Sequence, residues 1–277
     1  MVIEVNGVEL WVEAHGDPAG EPVLLLAGSD ATTLRWPAPL LDALVASGRR
    51  VIAYDHRDSG GSTKTDPDEP YLLDDLAADA AALLDALGIE RAHLVGYSMG
   101  GAVAQVLALD HPDRVVTLTL LSTTPGLGDE RLPFAADWFV ERMAERLFAP
   151  PPRDHEGRVA WIVELYRLLA GSRTPFDEAH QTALAEAELA RAWYPESGHG
   201  IAAGASPSRL DRLGEITAPT LVVHGTADPV FALEHAHALH AGIPGARLEL
   251  VEGLGHEVPA GYAADLAAIV LEHLGGA

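Results

Sequence analysis

The sequence predicts an α/β domain: a mostly parallel central sheet flanked by helices, with a helical cap inserted near the middle of the chain. Three observations carry this. Short apolar runs alternate with amphipathic helical patterns up to about residue 121; between about 124 and 217 only helical spacing is found; the alternation then resumes from Leu221. Near-continuous apolar strands separated by helices belong to parallel sheets buried on both faces. The expected core is therefore 1–123 with 218–277, and the expected cap is 124–217. At 277 residues the chain is long enough for one large domain with such an insertion.

Residues 2–6 and 9–15 read as a β-hairpin around Asn6-Gly7, a dipeptide that accepts positive φ. Val23–Ala27, set between Pro22 and Gly28, reads as a buried strand. Leu40, Leu41, Leu44 and Val45 give helical spacing over 37–47, stopped by Gly48. Val51–Tyr54 is the next strand, followed by the loop Asp55-His56-Arg57-Asp58-Ser59-Gly60-Gly61-Ser62 and an alanine-rich helix over 71–87. A strand at His93–Val95, a helix from about Met99 to Asp110 and a strand at Val115–Leu121 complete the first half. In the cap, helical spacing over 137–148, 158–170 and 177–192 is broken by Pro150-Pro151-Pro152 and by the Gly/Ser/Pro-rich stretch 195–208. Strands at Leu221–His224 and Arg247–Val251 alternate with helices over 231–241 and 261–274.

Composition removes several function classes. With 41 acidic against 18 basic residues the formal charge is -23, so phosphate backbones and anionic lipid surfaces repel the protein, and neither nucleic acid nor a membrane is an expected partner. There is no cysteine, which excludes disulfides, thiolate metal sites and cysteine nucleophiles. Neither a dinucleotide nor a P-loop glycine motif occurs, and no His/carboxylate group has metal-ligand spacing, so no cofactor and no metal are expected. The first residues have strand-like spacing, the first basic residue is Arg35, and no run of about 18 apolar residues occurs. A soluble, cytoplasmic protein is the expectation; the oligomeric state is not set by the sequence.

The chemistry centres on His93–Gly101, HLVGYSMGG. Here G-x-S-x-G stands between a strand and a helix, the context in which the motif presents a serine on a tight, strained turn. Ser98 is thus the candidate nucleophile, with the N-terminus of the following helix ready to stabilise negative charge. A serine hydroxyl needs a base, and the base needs an orienting acid. Of 13 histidines, most fall on helices, in the first hairpin or at strand ends. His256 lies in Gly253-Leu254-Gly255-His256-Glu257, a turn after the last strand, where loops gather at the sheet edge. Asp228, in Gly225-Thr226-Ala227-Asp228-Pro229, follows the preceding strand at the same edge and is the candidate acid. Glu257 ranks below it, because a side chain adjacent to the base in sequence points away from it. The order nucleophile, acid, base is that of the hydrolase triads built on this kind of sheet. The backbone N–H groups of Met99 and Ser29 are the candidate oxyanion donors. Asp30, next to Ser29, must turn away, cap the following segment or meet a substrate group; a cap or a substrate contact is favoured. Arg57 is expected to pair with Asp55 or Asp58.

GYSMGG around Ser98, HGTADPV around Asp228 and GLGHE around His256 together resemble the α/β-hydrolase superfamily over essentially the full length of the chain. Within it, Tyr54-Asp55-His56-Arg57-Asp58-Ser59-Gly60 with Ser62-Thr63, the Gly28-to-Trp36 loop and Leu107-Ala108-Leu109-Asp110-His111 are most similar to the bacterial methylesterases of the aclacinomycin type. The resemblance implies removal of a methyl group from a polyketide carboxymethyl ester, and a cap that shapes a pocket for a bulky aromatic substrate. Independently, the cap holds most of the large aromatics of the chain. Most of these serve helix packing, but collectively they suggest an apolar roof, and Trp138, Trp161 and Trp193, with Asp30, are the candidate pocket residues. The expected activity is hydrolysis of a hydrophobic carboxylic ester through an acyl-enzyme. The alternatives are a lactone, an amide or peptide N-terminus, or peroxide at the same triad, or a non-hydrolytic protein that retains the scaffold.

Overall fold

The computed structural model describes residues 1–275. These form one eight-stranded sheet, β1 (Val2–Val5), β2 (Val8–His15), β3 (Glu21–Leu26), β4 (Arg49–Tyr54), β5 (Ala92–Tyr97), β6 (Val115–Leu121), β7 (Thr220–Gly225) and β8 (Arg247–Val251). The spatial order is β1-β2-β4-β3-β5-β6-β7-β8, antiparallel at β1/β2 and β2/β4 and parallel from β4 to β8. The helices α1 (Ala38–Ala46), α2 (Leu73–Ala86), α3 (Met99–Asp110), α8 (Leu233–Gly242) and α9 (Ala263–Gly275) cover the sheet.

The central strands are mostly apolar because both faces are buried; the exceptions are Glu21, Arg49 and Arg50 at strand starts and the buried His93, Thr117, Thr119, Thr220 and His224. Val23, Leu25, Val95 and Val223 face one apolar core with α1 and α9; Leu24, Leu26, Leu94, Leu118 and Val222 face the other with α2, α3 and α8. Alternate side chains of one strand therefore enter different cores, as the two-residue strand period requires. α3 is buried almost all round, which is why its glycine and alanine content is high: it lies against the sheet, α2 and the segment before β7 at once.

Between β6 and β7 the chain leaves the sheet as α4 (Asp137–Phe148), α5 (His155–Leu169), α6 (Glu178–Arg191) and the short α7 (His199–Ala205). The first three match the helical spacing of the sequence. α5 starts earlier than expected, because Asp154 accepts a hydrogen bond from the Gly157 N–H and caps it, and α6 is capped in the same way by Asp177 on the His180 N–H. α7 lies within the stretch expected to be irregular. Its three alanines favour a helix, but two glycines and a length of seven residues leave it weak alone, and tertiary contact supplies the rest: His199 and Ala202 are fully buried. Among the described residues no helix is long and apolar enough to cross a membrane.

Candidate active site

After β3 the chain crosses to β4 on one side of the sheet, and after β5 to β6 on the other, so the C-terminal ends of β3 and β5 flank a change in strand order. A crevice opens at such a point. Leu26 pairs with Gly96, which brings the loop Ala27-Gly28-Ser29 beside Tyr97-Ser98 at that crevice. Ser98 itself has φ 53° and ψ -119°, a conformation that side chains rarely adopt. Its neighbours explain why it persists. A Cβ on Gly96 would lie 2.5 Å from the Gly100 carbonyl oxygen, and one on Gly100 2.1 Å from that of Leu26, so strand, turn and helix meet backbone to backbone. Ser98 N–H donates to Leu121 (2.9 Å) and the Thr123 hydroxyl donates to the Ser98 carbonyl (2.6 Å), which ties the turn to β6.

One strand pair further on, Gly225 pairs with Val251, and the loops after β7 and β8 emerge together; Ala227 N–H donates to Leu254 at 2.9 Å. These loops bring Asp228 and His256 to the serine. The Ser98 hydroxyl donates to His256 Nε2 over 2.9 Å, and His256 Nδ1 donates to Asp228 Oδ2 over 2.8 Å. The other carboxylate oxygen of Asp228 accepts from the N–H groups of Val230 (2.8 Å) and Phe231 (3.0 Å). Burial alone would raise the pKa of Asp228; the imidazole of His256, then His224 and the Phe231 N–H, outweigh it and hold the carboxyl below its usual range. The His256 ring is fixed between Tyr97 and Phe231, and its backbone N–H donates to Leu169 at the end of α5. Such a relay makes an alcohol able to attack a carbonyl carbon.

Met99 is the first residue of α3, so its N–H has no acceptor within the helix, and the helix dipole adds positive character there. Ser29 occupies a tight turn closed by Ala31 N–H on Gly28 (3.2 Å), with Asp30 at φ 58°. Gly28 lets this turn press on the elbow: a Cβ there would come within 2.9 Å of the Tyr97 ring and 3.3 Å of Ser98 Cβ. Neither the Ser29 nor the Met99 N–H donates a hydrogen bond to another described residue.

Asp30 lines a cavity of about 390 Å³, together with Ser29, Trp161, Tyr166, Trp193 and Tyr194. Its side chain is 63% accessible, and Oδ1 lies 3.0 Å from Nδ1 of His199. Burial pushes its pKa up, but His199, Ser197 and Ser29 pull it below the usual value. Trp138 is not in the lining. It is half exposed at the start of α4 and packs edge-on against Phe139. Arg57 also differs from expectation: it forms a bidentate pair with Asp79 of α2, both contacts 2.8 Å, rather than with Asp55 or Asp58. Those two are already engaged, Asp55 by the N–H groups of Thr33 and Gly61 and by Arg191, Asp58 by Thr65, Tyr71 and the Gly198 N–H.

The sequence also left unseen a buried polar chain beside the base. Arg35 stacks on Tyr166, pairs with Glu188 and donates to Gln181 (2.6 Å), whose amide donates to Glu257 (3.2 Å). Burial drives the Glu257 carboxyl up to about 7, against the pull of Arg35 and Gln181. The signal was present in α6, where Gln181 and Glu188 stand seven residues apart on the face that also buries Ala185.

A family model described as alpha/beta hydrolase fold matches residues 21–259. Rhodomycin D methylesterase DnrP of Streptomyces peucetius is 36% identical, over 98% of this chain and 97% of its own. Among solved structures, the enol-lactonase from Burkholderia xenovorans LB400 is similar with a TM-score of 0.80 at 25% identity, covering 99% of both chains. A thermophilic esterase from Thermogutta terrifontis is similar with a TM-score of 0.76 at 26% identity, covering 99% of this chain and 96% of that one. With a mostly parallel sheet, a serine elbow at the switch in strand order and a family match over most of its length, the chain belongs to the α/β-hydrolase family and is a hydrolytic enzyme.

Proposed function

We propose that this hydrolase cleaves a carboxylic ester, a methyl ester of a bulky aromatic acid of polyketide type, by way of an acyl-enzyme. The observation that carries the proposal is the unbroken relay Ser98–His256–Asp228, with contacts of 2.9 and 2.8 Å; a cavity of about 390 Å³, walled by Trp161, Tyr166, Trp193 and Tyr194, reaches Ser29 of the neighbouring loop. Residues 124–217 act as a cap over a core made of 1–123 and 218–277. In the first step Ser98 Oγ attacks the ester carbonyl carbon while His256 Nε2 takes its proton, and Asp228 stabilises the imidazolium. The N–H groups of Ser29 and Met99 receive the negative charge that develops on the carbonyl oxygen. His256 then protonates the departing alkoxide, which leaves as the alcohol. Water, deprotonated by the same imidazole, attacks the acyl-enzyme and releases the acid and Ser98.

The bulky substrate is supported by the cavity, whose volume falls within the roughly 300–1,000 Å³ of small-molecule sites, and by the 36% identity to a rhodomycin D methylesterase. A second reading, lactone hydrolysis, is favoured by the likeness to the enol-lactonase. A panel of multi-ring aromatic methyl esters, short-chain p-nitrophenyl esters and lactones separates the two. The ester reading expects the highest kcat/KM on the aromatic methyl esters, and in Trp193→Ala a raised KM for these with p-nitrophenyl acetate unaffected. Highest kcat/KM on a lactone overturns it in favour of the second reading. Labelling of Ser98 by a fluorophosphonate separates both from an idle scaffold, and Ser98→Ala should lower kcat by about 10⁴-fold or more while folding normally.

A further inference from the structure

His199 has no part in the relay, yet its side chain is fully buried and fully engaged. It stands at the start of α7, 169 residues from Asp30, and reaches two loops of the sheet's active edge at once. Nε2 donates to the Arg57 carbonyl in the loop after β4 (2.7 Å). Nδ1 lies 2.9 Å from the backbone N of Asp30 and 3.0 Å from its carboxylate, in the loop after β3. When Nδ1 is unprotonated it accepts the Asp30 N–H, and when protonated it donates to the carboxylate, so in either state it holds Asp30. Tyr71 and His56 pack edge-on against the ring and fix its orientation.

What His199 holds is a conformation that does not hold itself. Asp30 has φ 58°, at the turn position where glycine or asparagine is usual, and the turn's own hydrogen bond is a long one of 3.2 Å. The residue before it, Ser29, carries the N–H assigned above to the oxyanion. We propose that His199 is a positioning residue for the oxyanion site: it locks the Gly28–Ala31 turn from the cap side and draws the Asp30 carboxylate away from where negative charge develops. The site is then complete only while α7 is seated, which couples the docking of the inserted helices to transition-state stabilisation at Ser98. This rests on the ester-hydrolase reading, and its test is built to fail separately from it.

The two amide residues divide the contacts of the imidazole. The amide of asparagine is attached at Cγ, like Nδ1, and can keep Asp30; that of glutamine is attached at Cδ, like Nε2, and keeps Arg57 instead. With p-nitrophenyl butyrate as substrate, His199→Asn should retain kcat within about threefold. His199→Gln should lose roughly ten- to a hundredfold in kcat with KM little changed, because a misplaced donor is felt in the transition state. Thermal unfolding of both variants accompanies the kinetics, since a purely structural histidine would make kcat follow Tm. Wild-type kcat in His199→Gln, equal losses in the two variants, or a loss confined to KM overturns the proposal. Should neither variant fold, Asp30→Pro removes the same N–H and forbids positive φ; it should lower kcat by a similar factor, and an unchanged kcat overturns the proposal. Retained activity in Ser98→Ala would instead overturn the reading beneath it.

Discussion

Replacing Asp228 by asparagine tests the relay with almost no change of shape. Oδ1 of Asp228 accepts two N–H groups, from Val230 and Phe231, while Oδ2 faces His256 Nδ1. In the variant the amide oxygen must stay with the two N–H donors, because turning the amide over would set its own N–H groups against theirs and lose two buried hydrogen bonds, each worth roughly 1–3 kcal/mol when left unmade. The amide NH2 therefore faces Nδ1 and donates to it. His256 is driven into the tautomer with its proton on Nε2, pointing at the Ser98 hydroxyl, and has no lone pair for the proton it must take. A loss of about 10⁴ in kcat is expected, equivalent to about 5 kcal/mol of transition-state stabilisation. Initial rates on p-nitrophenyl acetate, with Tm measured alongside, provide the assay. An Asp228→Asn variant that folds normally and keeps kcat within about tenfold of wild type would refute the assignment of Asp228.

Three further outcomes follow from the geometry. Ser98→Gly should abolish activity and raise stability by about 1–3 kcal/mol, since glycine adopts φ 53° without strain; an unchanged or lowered Tm would mean the elbow stores none. The Glu257 carboxyl, raised from the usual 4.5 to about 7, is more protonated in the folded than in the unfolded chain, so its contribution is fully present below the unfolded pKa and is lost as pH rises through 7. Glu257→Gln should accordingly gain on wild type by on the order of 3 kcal/mol between about pH 4 and 8, and parallel Tm–pH curves would contradict this. Arg57→Met leaves the buried Asp79 unpaired and should cost roughly 3–5 kcal/mol in urea unfolding, most of it recovered by adding Asp79→Leu; equal losses in single and double variants would show the ion pair does not bear on stability.

The sheet was legible because each central strand is buried on both faces and reads as a mostly apolar run, even where a threonine or histidine interrupts it, as at Thr117, Thr119 and His93. The meeting of Ser98, Asp228 and His256 was legible because each lies in a glycine-bearing turn beyond the C-terminal end of a strand, the buried β5 and β7 for the first two and the largely exposed edge strand β8 for the third. What was not legible depended on contacts between distant parts of the chain. α7, seven residues with two glycines, is too short and too interrupted to form alone despite its three alanines, and the burial of His199 and Ala202 holds it. Arg57 turns to Asp79, 22 positions away on α2, and no local pattern distinguishes that carboxylate from nearer Asp55 and Asp58. Trp138 and Trp161 are equivalent as cap tryptophans in the sequence; only the packing of α4 and α5 sends the second into the cavity and leaves the first at the surface.

The backbone-to-backbone contact of β3, β5 and α3 at Gly96 and Gly100 has a practical corollary for anyone wishing to retarget this enzyme. Every added carbon at those positions would collide with a carbonyl oxygen at 2.1 to 2.5 Å, so this junction tolerates no diversification. Met143, Leu147, Trp161 and Leu165, on α4 and α5, line the cavity of about 390 Å³ and take no part in that backbone junction. Libraries confined to these four positions would reshape the cavity while leaving Gly96 and Gly100, and the turn they pack, untouched.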